Sequence, residues 1–340
     1  MAIRNSGNMS ITEEFAAKIK RDNQKERIMK LAPVIVLFAL ILIFSIVCGK
    51  DFASLKNLVA VLNQLAIPLL VAIGLTFVIM IGGIDLSING TVGMAASLVG
   101  IFVMNNRFTQ FNLGIGGILI GILSSVLVGF LAGLIHVYLR IPSFMVTFAF
   151  MYVCKGIGLL SYSGEPPTIL DPVLAELPKK SFIGIPFITW MALIVLGICI
   201  LIQEYTAFGR YIYAVGTDES ILSAVGVSVK KVKVKVFTLA GLCFGIAGAL
   251  AAIRLGQGQV NVGEGLMFPA QAAVVVGGTS LAGGKGGVIN TIVGVLVMRV
   301  LSNGLVLMGV NPYIRTGIEG IIILVAVALT VARGAKVISK

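Results

Sequence analysis

The 340-residue sequence has little charge: only 12% of its residues are Asp, Glu, Lys or Arg, about half of the roughly 25% usual in soluble domains. It also lacks the alternation of polar and apolar residues that is typical of outer-membrane barrel strands. Its apolar residues run continuously instead, as in 31–47 and 318–332. These absences exclude an ordinary soluble enzyme, a disordered chain and a barrel. The sequence predicts an all-α, polytopic membrane protein.

Residue patterns for catalysis, metal binding and nucleic-acid binding are also missing. The lone His136 has no nearby Asp and Ser for a triad, and the stretch 279–286 departs from a phosphate loop at both ends. The net charge of +12 comes from basic residues at the ends of apolar runs, without interleaved aromatics. We therefore expect no catalytic site, no metal, no cofactor bound by this chain and no nucleic-acid partner. The cysteines, expected to be small buried hydrophobes, are Cys48, Cys154, Cys199 and Cys243.

Apolar segments long enough to be membrane spans occur ten times, since about 20 apolar residues cross the hydrocarbon as a helix. The third and the eighth are short and Gly-rich, which predicts broken helices there. The ten segments are 31–49, 58–80, 89–104, 113–138, 143–162, 185–203, 236–254, 269–281, 287–309 and 314–332.

The positions of Lys and Arg fix the predicted orientation, because cytoplasmic segments carry an excess of them. With the N-terminus inside, 17 of the 26 basic residues are cytoplasmic, seven are external and two lie within spans. Both termini are therefore predicted to be cytoplasmic. The predicted organisation is a tail at 1–30, a membrane domain at 31–332 and a tail at 333–340. No cleavable signal peptide is expected, and 11–30 forms either an interfacial helix or a solvated tail.

Two longer segments connect predicted spans. The external loop 161–184 is rich in Pro and Gly, and its middle, 171–177, is expected to form one short helix. The cytoplasmic loop 204–235 ends in alternating Val and Lys at 229–236. Although this alternation resembles a strand, we expect it to open the next span, with its lysines at headgroup level.

A short helix is predicted within the cytoplasmic loop. Thr217 or Asp218 is a suitable N-cap for a helix over 219–225, and Gly226 suits the left-handed residue that ends it. Such a helix has two possible environments, a groove on another protein or the lipid surface. Its apolar face would consist of Ile221, Leu222 and Val225.

Gly-rich breaks interrupt the apolar runs in both halves of the chain, at 82–90 and at 279–286. Backbone cannot be left unpaired in lipid, so each break is expected to face protein or a water-filled cavity. Asp85 is a candidate functional residue, because an ionisable group is costly at membrane depth. The alternative is structural: Asp85 with Ser87 caps the third span.

Six stretches, in this order from about residue 55 to 332, carry a family resemblance. The chain resembles the membrane permease subunits of ribose/galactose-type ABC sugar importers. The stretches are 74–79, 83–87, 142–147, 208–216, 273–286 and 309–313.

The resemblance implies a permease of about ten spans per chain in the bacterial inner membrane, paired with a second permease chain as a homodimer or heterodimer. It further implies two ATP-binding cassette ATPase subunits inside, which bind the ATP, and a substrate-binding protein outside. The short cytoplasmic helix then takes the place of the coupling helix that docks on the ATPase, which favours docking over lipid. The coupling candidates are Asp218, Glu219, Ser220, Ala224 and Gly226.

The chain departs from the family at several charged positions. The acidic pair that the family often carries before the second glycine run is absent from 267–271, where Glu264 is the nearest carboxylate. Arg299 lies within a span, and a charge left alone there costs several kcal/mol. We hypothesise that Arg299, or failing that Lys155, pairs with Glu319.

The leading functional prediction is ATP-coupled import of a monosaccharide or a related small polyhydroxylated solute. Uptake of a nucleoside or another small metabolite through the same apparatus is the second possibility. An ion-coupled secondary transporter also fits the broken spans, whereas an intramembrane enzyme lacks a catalytic set. The candidate polar residues of the translocation pathway, which helix–helix hydrogen bonding explains equally well, are Asn63, Gln64, Asp85, Ser87, Asn89 and Asn303.

Overall fold

A computed structural model describes residues 31–108 and 112–331. Both predicted tails, 1–30 and 333–340, lie outside the described residues. The expected interfacial helix in 11–30 and the expected cytoplasmic location of the termini therefore stay predictions.

Most described residues are helical, and the helices follow one another through short connections. In chain order they are α1 (Leu31–Val47), α2 (Leu55–Met80), α3 (Ile88–Phe102), α4 (Ile115–Tyr138), α5 (Ser143–Tyr162), α6 (Pro172–Glu176), α7 (Phe187–Tyr205), α8 (Ala207–Thr217), α9 (Glu219–Ala224), α10 (Val229–Leu255), α11 (Met267–Val276), α12 (Val288–Leu307) and α13 (Pro312–Val331).

Six of these helices are long and apolar enough to cross a membrane, namely α2, α4, α5, α7, α10 and α12. Shorter apolar helices are α1, α3 and the segment Val260–Val276, which ends with α11. All ten predicted segments coincide with helices at least in part, so the protein is a multi-pass helical membrane protein. The total of ten spans stays a prediction.

Helix α2 forms the centre of the fold. Its part from Leu65 to Met80 is almost entirely apolar, as in a helix that is either enclosed in a protein core or surrounded by lipid. Here the helix is enclosed by the protein core. Every residue from Leu65 to Met80 is buried accordingly. Its neighbours include α7, α10, α11 and α12. The hydroxyls of Thr76 and Thr291 lie 2.6 Å apart in the core and join α2 to α12.

Glycines bring α4 and α10 into close contact. A Cβ on either Gly129 or Gly241 would lie 3.1 Å from the Cα of the other. Small residues allow this approach of two membrane helices, which gains van der Waals contact where apolar burial gives little. Helix α10 begins at Val229 after the N-cap Ser228, so the expectation that the Val–Lys run opens a helix is confirmed.

The external loop folds into small regular elements. Asp171 accepts hydrogen bonds from the backbone N–H groups of Val173 and Leu174 and so caps α6, which confirms the expected short helix. A 3-10 turn continues it at Leu177–Lys179. The sequence did not predict the antiparallel pair that follows, β1 (Ser181–Phe182) and β2 (Ile185–Pro186), in which Ser181 pairs with Pro186 and Phe182 with Ile185.

The first part of the predicted cytoplasmic loop is helical and not extended. Helix α8 begins after Thr206, whose hydroxyl accepts a hydrogen bond of 3.2 Å from the backbone N–H of Gly209. Its Ile212 and Val215 are buried in the main core. Tertiary packing therefore stabilises a helix that contains glycines and that local propensity alone would not favour.

Candidate coupling site and the broken helices

Helix α9 has the two ends that the sequence predicted. The Asp218 carboxylate accepts a hydrogen bond of 2.8 Å from the backbone N–H of Ser220, which satisfies one of the free donors at the helix N-terminus. Gly226 follows the helix with a φ of +75°, the left-handed conformation that favours glycine. The helix ends at Ala224, one residue earlier than expected.

The apolar side chains of α9 divide into one anchor and two exposed residues. Leu222 is buried in the main core, whereas Ile221 and Val225 are 52% and 70% exposed. Glu219 adds an ion pair with Lys233 at the start of α10, with 2.6 Å between Oε1 and Nζ. The helix is thus fixed to the membrane domain on one side and presents apolar surface on the other.

The electrostatics of the cap favour a charged Asp218. Hydrogen bonds from Ser220, first from its side chain and then from its backbone N–H, hold the pKa of the Asp218 carboxyl below its usual value. The side chain lies in solvent, so this preference contributes to the local stability of α9 and does not reflect a buried charge.

A cavity of about 700 Å³ opens beside α9, between the start of α10 and the turn after α4. Three basic side chains line it, those of Arg140, Lys230 and Lys233, against the single carboxylate of Glu219. His136 also lines this cavity, and its Nδ1 lies 2.7 Å from the carbonyl of Ile141. The surface around α9 therefore combines exposed apolar residues with a basic hollow.

The first glycine break is held by α5. The backbone N–H of Ile84 donates to the hydroxyl of Ser143, and that of Leu86 donates to the hydroxyl of Thr147, each over 3.0 Å. These bonds satisfy backbone groups that lipid could not, as a break at membrane depth requires.

Asp85 bonds only locally among the contacts of the described residues. Its Oδ1 accepts the backbone N–H of Ser87 at 2.8 Å and the Ser87 hydroxyl at 2.7 Å, and both residues are buried. Ser87 is the N-cap of α3 by position, but its side chain makes no capping hydrogen bond. The expected capping of the third span by Asp85 and Ser87 is therefore wrong: the carboxylate stabilises the turn before the helix.

The second break contacts both the first break and α8. The backbone N–H of Gly284 donates to the carbonyl of Met80, at the end of α2, over 2.9 Å. A Cβ on Gly216, near the end of α8, would overlap that carbonyl oxygen and the nitrogen of Gly284. The segment leading into α9 thus packs directly on the connections of both broken helices.

Tyr213 connects α8 with the ends of α7 and α12. Its hydroxyl accepts from the Gln203 amide at 2.8 Å and donates to the carbonyl of Gly286 at 2.9 Å. Gln203 in turn accepts from the backbone N–H of Val288, the first residue of α12, at 2.8 Å. The sequence did not predict this network. Its signal in the sequence is a Gln near the end of an apolar helix, ten residues before a Tyr.

The polar candidates for the translocation pathway fall into two groups. Asn63, half-buried, and Gln64, exposed, lie on α2 and Asn303 lies on α12, whereas Asp85, Ser87 and Asn89 belong to the first break and α3. Asn303 exchanges two side-chain hydrogen bonds with Asn57, of 3.0 and 2.9 Å. These contacts favour a helix-joining role for Asn303. Lining of the pathway by any of the six stays a prediction.

The charged residues within the helices pair differently from the hypothesis. Lys155 binds Glu264, with 2.7 Å between Nζ and Oε1, so its proposed pairing with Glu319 is wrong. Glu319 instead lies 4.0 Å from Arg315, one helical turn earlier. Within the described residues Arg299 has no ion pair with Glu319, and its Nε is buried without a hydrogen-bond partner. Sequence separation could not have shown which helices are neighbours here.

Comparison with known proteins gives a consistent result over most of the chain. The model of the family described as "Branched-chain amino acid transport system / permease component" matches residues 57–327. The chain is 34% identical over 320 residues to the ribose import permease protein RbsC of Bacillus subtilis (strain 168), covering 94% of this chain and 98% of the relative.

Two further relatives also have sugars in their names. Identity is 30% to the galactose/methyl galactoside import permease protein MglC of Escherichia coli (strain K12), over 90% of this chain and 96% of the relative. It is also 30% to the fructose import permease protein FrcC of Rhizobium meliloti, over 87% and 84%. No solved structure matches the chain.

Proposed function

The chain belongs to the family described as branched-chain amino acid transport system / permease component, and we propose that it forms the translocation pathway of an ATP-binding cassette importer. The solute is a monosaccharide, ribose- or galactose-like, or a related small polar compound. This assignment is supported by relatives that are import permeases for ribose, galactose and fructose. The chain itself contributes no catalytic site.

The proposed assembly contains two permease chains, identical or different, in a bacterial inner membrane. Two ATPase subunits bind and hydrolyse ATP on the cytoplasmic side, and a substrate-binding protein delivers the solute from the other side. ATP drives alternating access, so that the pathway opens first to one side and then to the other. This chain holds no nucleotide in the proposal.

The observation that carries the proposal is the exposure of Ile221 and Val225 on a helix anchored by buried Leu222. Apolar residues on an anchored, capped helix are what a groove on a partner protein binds. The basic side chains of the adjacent cavity, including Lys230 and Arg140, would attract acidic groups at the rim of that groove.

Force from the ATPase reaches the membrane helices through α8 in this mechanism. Helix α9 follows α8 directly, and Gly216 packs on Met80 and Gly284 at the two broken connections. Tyr213 adds a hydrogen bond to the segment that opens α12. Displacement of α9 would therefore shift α2 and α12 together, because packed contacts move as units.

The test is reconstitution of the permease with its ATPase subunits and binding protein in vesicles, with labelled ribose, galactose and fructose as probes. We expect uptake that requires ATP. The double variant Ile221→Ala/Val225→Ala should lose ATPase co-purification and uptake, while Val173→Ala, which removes a similarly exposed apolar side chain in α6, should keep both. Uptake driven by an ion gradient without the ATPase would overturn the proposal in favour of a secondary transporter.

A further inference from the structure

Three arginines and one carboxylate gather at the end of the helix bundle opposite α9. Arg254 lies at the far end of α10 from α9, Arg299 lies on α12, and Arg315 and Glu319 lie on α13. Glu319 lies 4.0 Å from Arg315, and α13, which carries both, packs against α12, which carries Arg299. The group therefore has one negative charge against three positive ones.

Helix geometry brings the central members to one depth. Asn63 follows the start of α2 by eight residues, Arg299 precedes the end of α12 by eight, and Glu319 follows the start of α13 by seven. At about 1.5 Å per residue, each lies roughly 10–12 Å below the same end of the bundle. This depth is within the apolar part of a span, where an uncompensated charge requires an explanation.

Arg299 also faces α2. It precedes Asn303 by four residues, so both occupy one face of α12, and Asn303 is hydrogen-bonded to Asn57 of α2. Arg299 lies one helical turn deeper in the membrane than Asn303. Because α2 and α12 run antiparallel, Arg299 is level with the part of α2 that holds Asn63 and exposed Gln64. Arg254 approaches the same place from α10, because its Nη1 donates to the Asn63 carbonyl at 3.2 Å.

The hydrogen-bonding groups of this cluster are incomplete. Among the described residues, the Nε atoms of Arg299 and Arg315 and the Oδ1 atom of Asn63 are buried without a hydrogen-bond partner. Arg315 is only 4.0 Å from Glu319, too far for a hydrogen bond. Two buried donors without partners require acceptors, which a carboxylate would supply together with negative charge, and one unpaired acceptor requires a donor such as a hydroxyl.

We propose that this cluster, defined by Asn63, Arg254, Arg299, Arg315 and Glu319, binds the carboxylate and a hydroxyl of a sugar acid on its way through the pathway. The inference rests on the proposed transport function and refines its substrate class from neutral sugars to acidic ones. Guanidinium groups bind carboxylates through charge-assisted hydrogen bonds, and the single Glu319 lowers the positive charge so that the solute can leave.

The experiment measures binding of labelled galacturonate, galactose and galactose 6-phosphate to the purified permease in phosphatidylcholine nanodiscs. We expect galacturonate to bind more tightly than galactose by at least about tenfold, the effect of one good charged contact. Arg299→Gln should remove this preference, Arg299→Lys should keep part of it, and Glu319→Gln should strengthen it. Lys179→Gln, at an exposed external ion pair, is the control and should change nothing.

Several results would overturn the inference. Equal binding of acid and neutral sugar, or equal loss of both in Arg299→Gln, would make Arg299 a structural residue. Stronger binding of galactose 6-phosphate than galacturonate would assign the cluster to phosphate. Retention of anionic phosphatidylglycerol that depends on Arg299, without solute binding, would make it a lipid headgroup site.

Failure of this inference and failure of the proposed function are separable. If ATP drives uptake of galactose but galacturonate neither binds nor enters, the transport function stands and the acidic substrate class is wrong. If galacturonate binds in an Arg299-dependent manner but uptake needs no ATP, the site stands and the proposed coupling is wrong.

Discussion

The backbone N–H of Gly284 donates a hydrogen bond of 2.9 Å to the carbonyl of Met80, and so joins the two glycine breaks of the membrane domain. Met80 ends α2, whose residues from Leu65 onwards are all buried, and Gly284 lies in the connection that leads into α12. Gly216 of α8 packs on both groups. A small contact of three backbone segments therefore connects the candidate coupling helix with the core.

We expect Gly216→Ala to disrupt this contact. The added methyl would overlap the Met80 carbonyl and the Gly284 nitrogen, and backbone atoms cannot move aside as a flexible side chain can. Overpacking of this kind costs about 1–3 kcal/mol. The prediction is a lower unfolding temperature in detergent together with reduced ATP-driven uptake, measured on the same preparation.

Gly197→Ala is the matched control for that substitution. Gly197 also lies within a helix, but a Cβ there would have no neighbour within 4 Å. Because alanine is the better helix former by about 1 kcal/mol, this variant should be neutral or slightly stabilised. Equal behaviour of the two variants would contradict the proposed role of the contact.

Tyr213→Phe should weaken the connection between α8 and α12 while it keeps the aromatic ring in place. The substitution removes the hydroxyl that donates to the Gly286 carbonyl and accepts from Gln203, and a net loss of about 1 kcal/mol is typical for such a bond. Calorimetry of the purified chain measures the effect. Tyr205→Phe, at an exposed tyrosine of α7, should leave the unfolding temperature unchanged, and a similar drop there would count against the network.

Asp218→Ala should expose α9 to local opening. Loss of an N-cap leaves a backbone donor of the first turn unsatisfied, so amide exchange in α9 should rise several-fold. Asp218→Asn retains a capping oxygen but not the charge, and should exchange at a rate between those of the unchanged protein and Asp218→Ala. If Asp218→Asn exchanged as fast as Asp218→Ala, the carboxylate charge and not the cap would stabilise the helix.

The same cap predicts a pH dependence with a defined sign. The pKa of Asp218 is lowered in the folded chain by hydrogen bonds from the side chain and backbone of Ser220. A lowered pKa contributes stability above the unfolded value, and this contribution is lost as pH falls through the lowered pKa. Protection of α9 should therefore be constant near neutral pH and decline in acid, as the pH falls from the usual aspartate pKa through the lowered one, and the decline should be absent in Asp218→Asn.

Features set by residues close in sequence were predictable. The Asp218 cap, the left-handed Gly226 and the short helix after Asp171 follow from chemistry within a few positions. Helix α8 was not predictable in the same way, because Gly209 lowers its helix propensity. That glycine is required by its contact with the Gln203 backbone across the turn between α7 and α8, and the sequence did not predict a turn there.

Charge pairing within the membrane domain also depends on the fold. The sequence indicates that Lys155, Arg299 and Glu319 are costly in lipid, but it does not show which helices pack against each other. Lys155 reaches Glu264 in the segment before α11, and Glu319 finds Arg315 on its own helix. The resemblance to sugar permeases fixed the class of protein, whereas these partners required the arrangement of helices.

Two roles for Asn303, joining two helices and contacting the solute, can be separated by experiment. Its side chain exchanges two hydrogen bonds with Asn57, and interhelical bonds of this kind contribute about 0.6–1.7 kcal/mol. A double-mutant cycle of Asn57→Ala and Asn303→Ala should therefore give a coupling energy in that range for unfolding, with no change in the solute concentration that half-saturates uptake. A coupling energy near zero, together with a shifted half-saturation in Asn303→Ala alone, would show instead that Asn303 contacts the solute in the pathway.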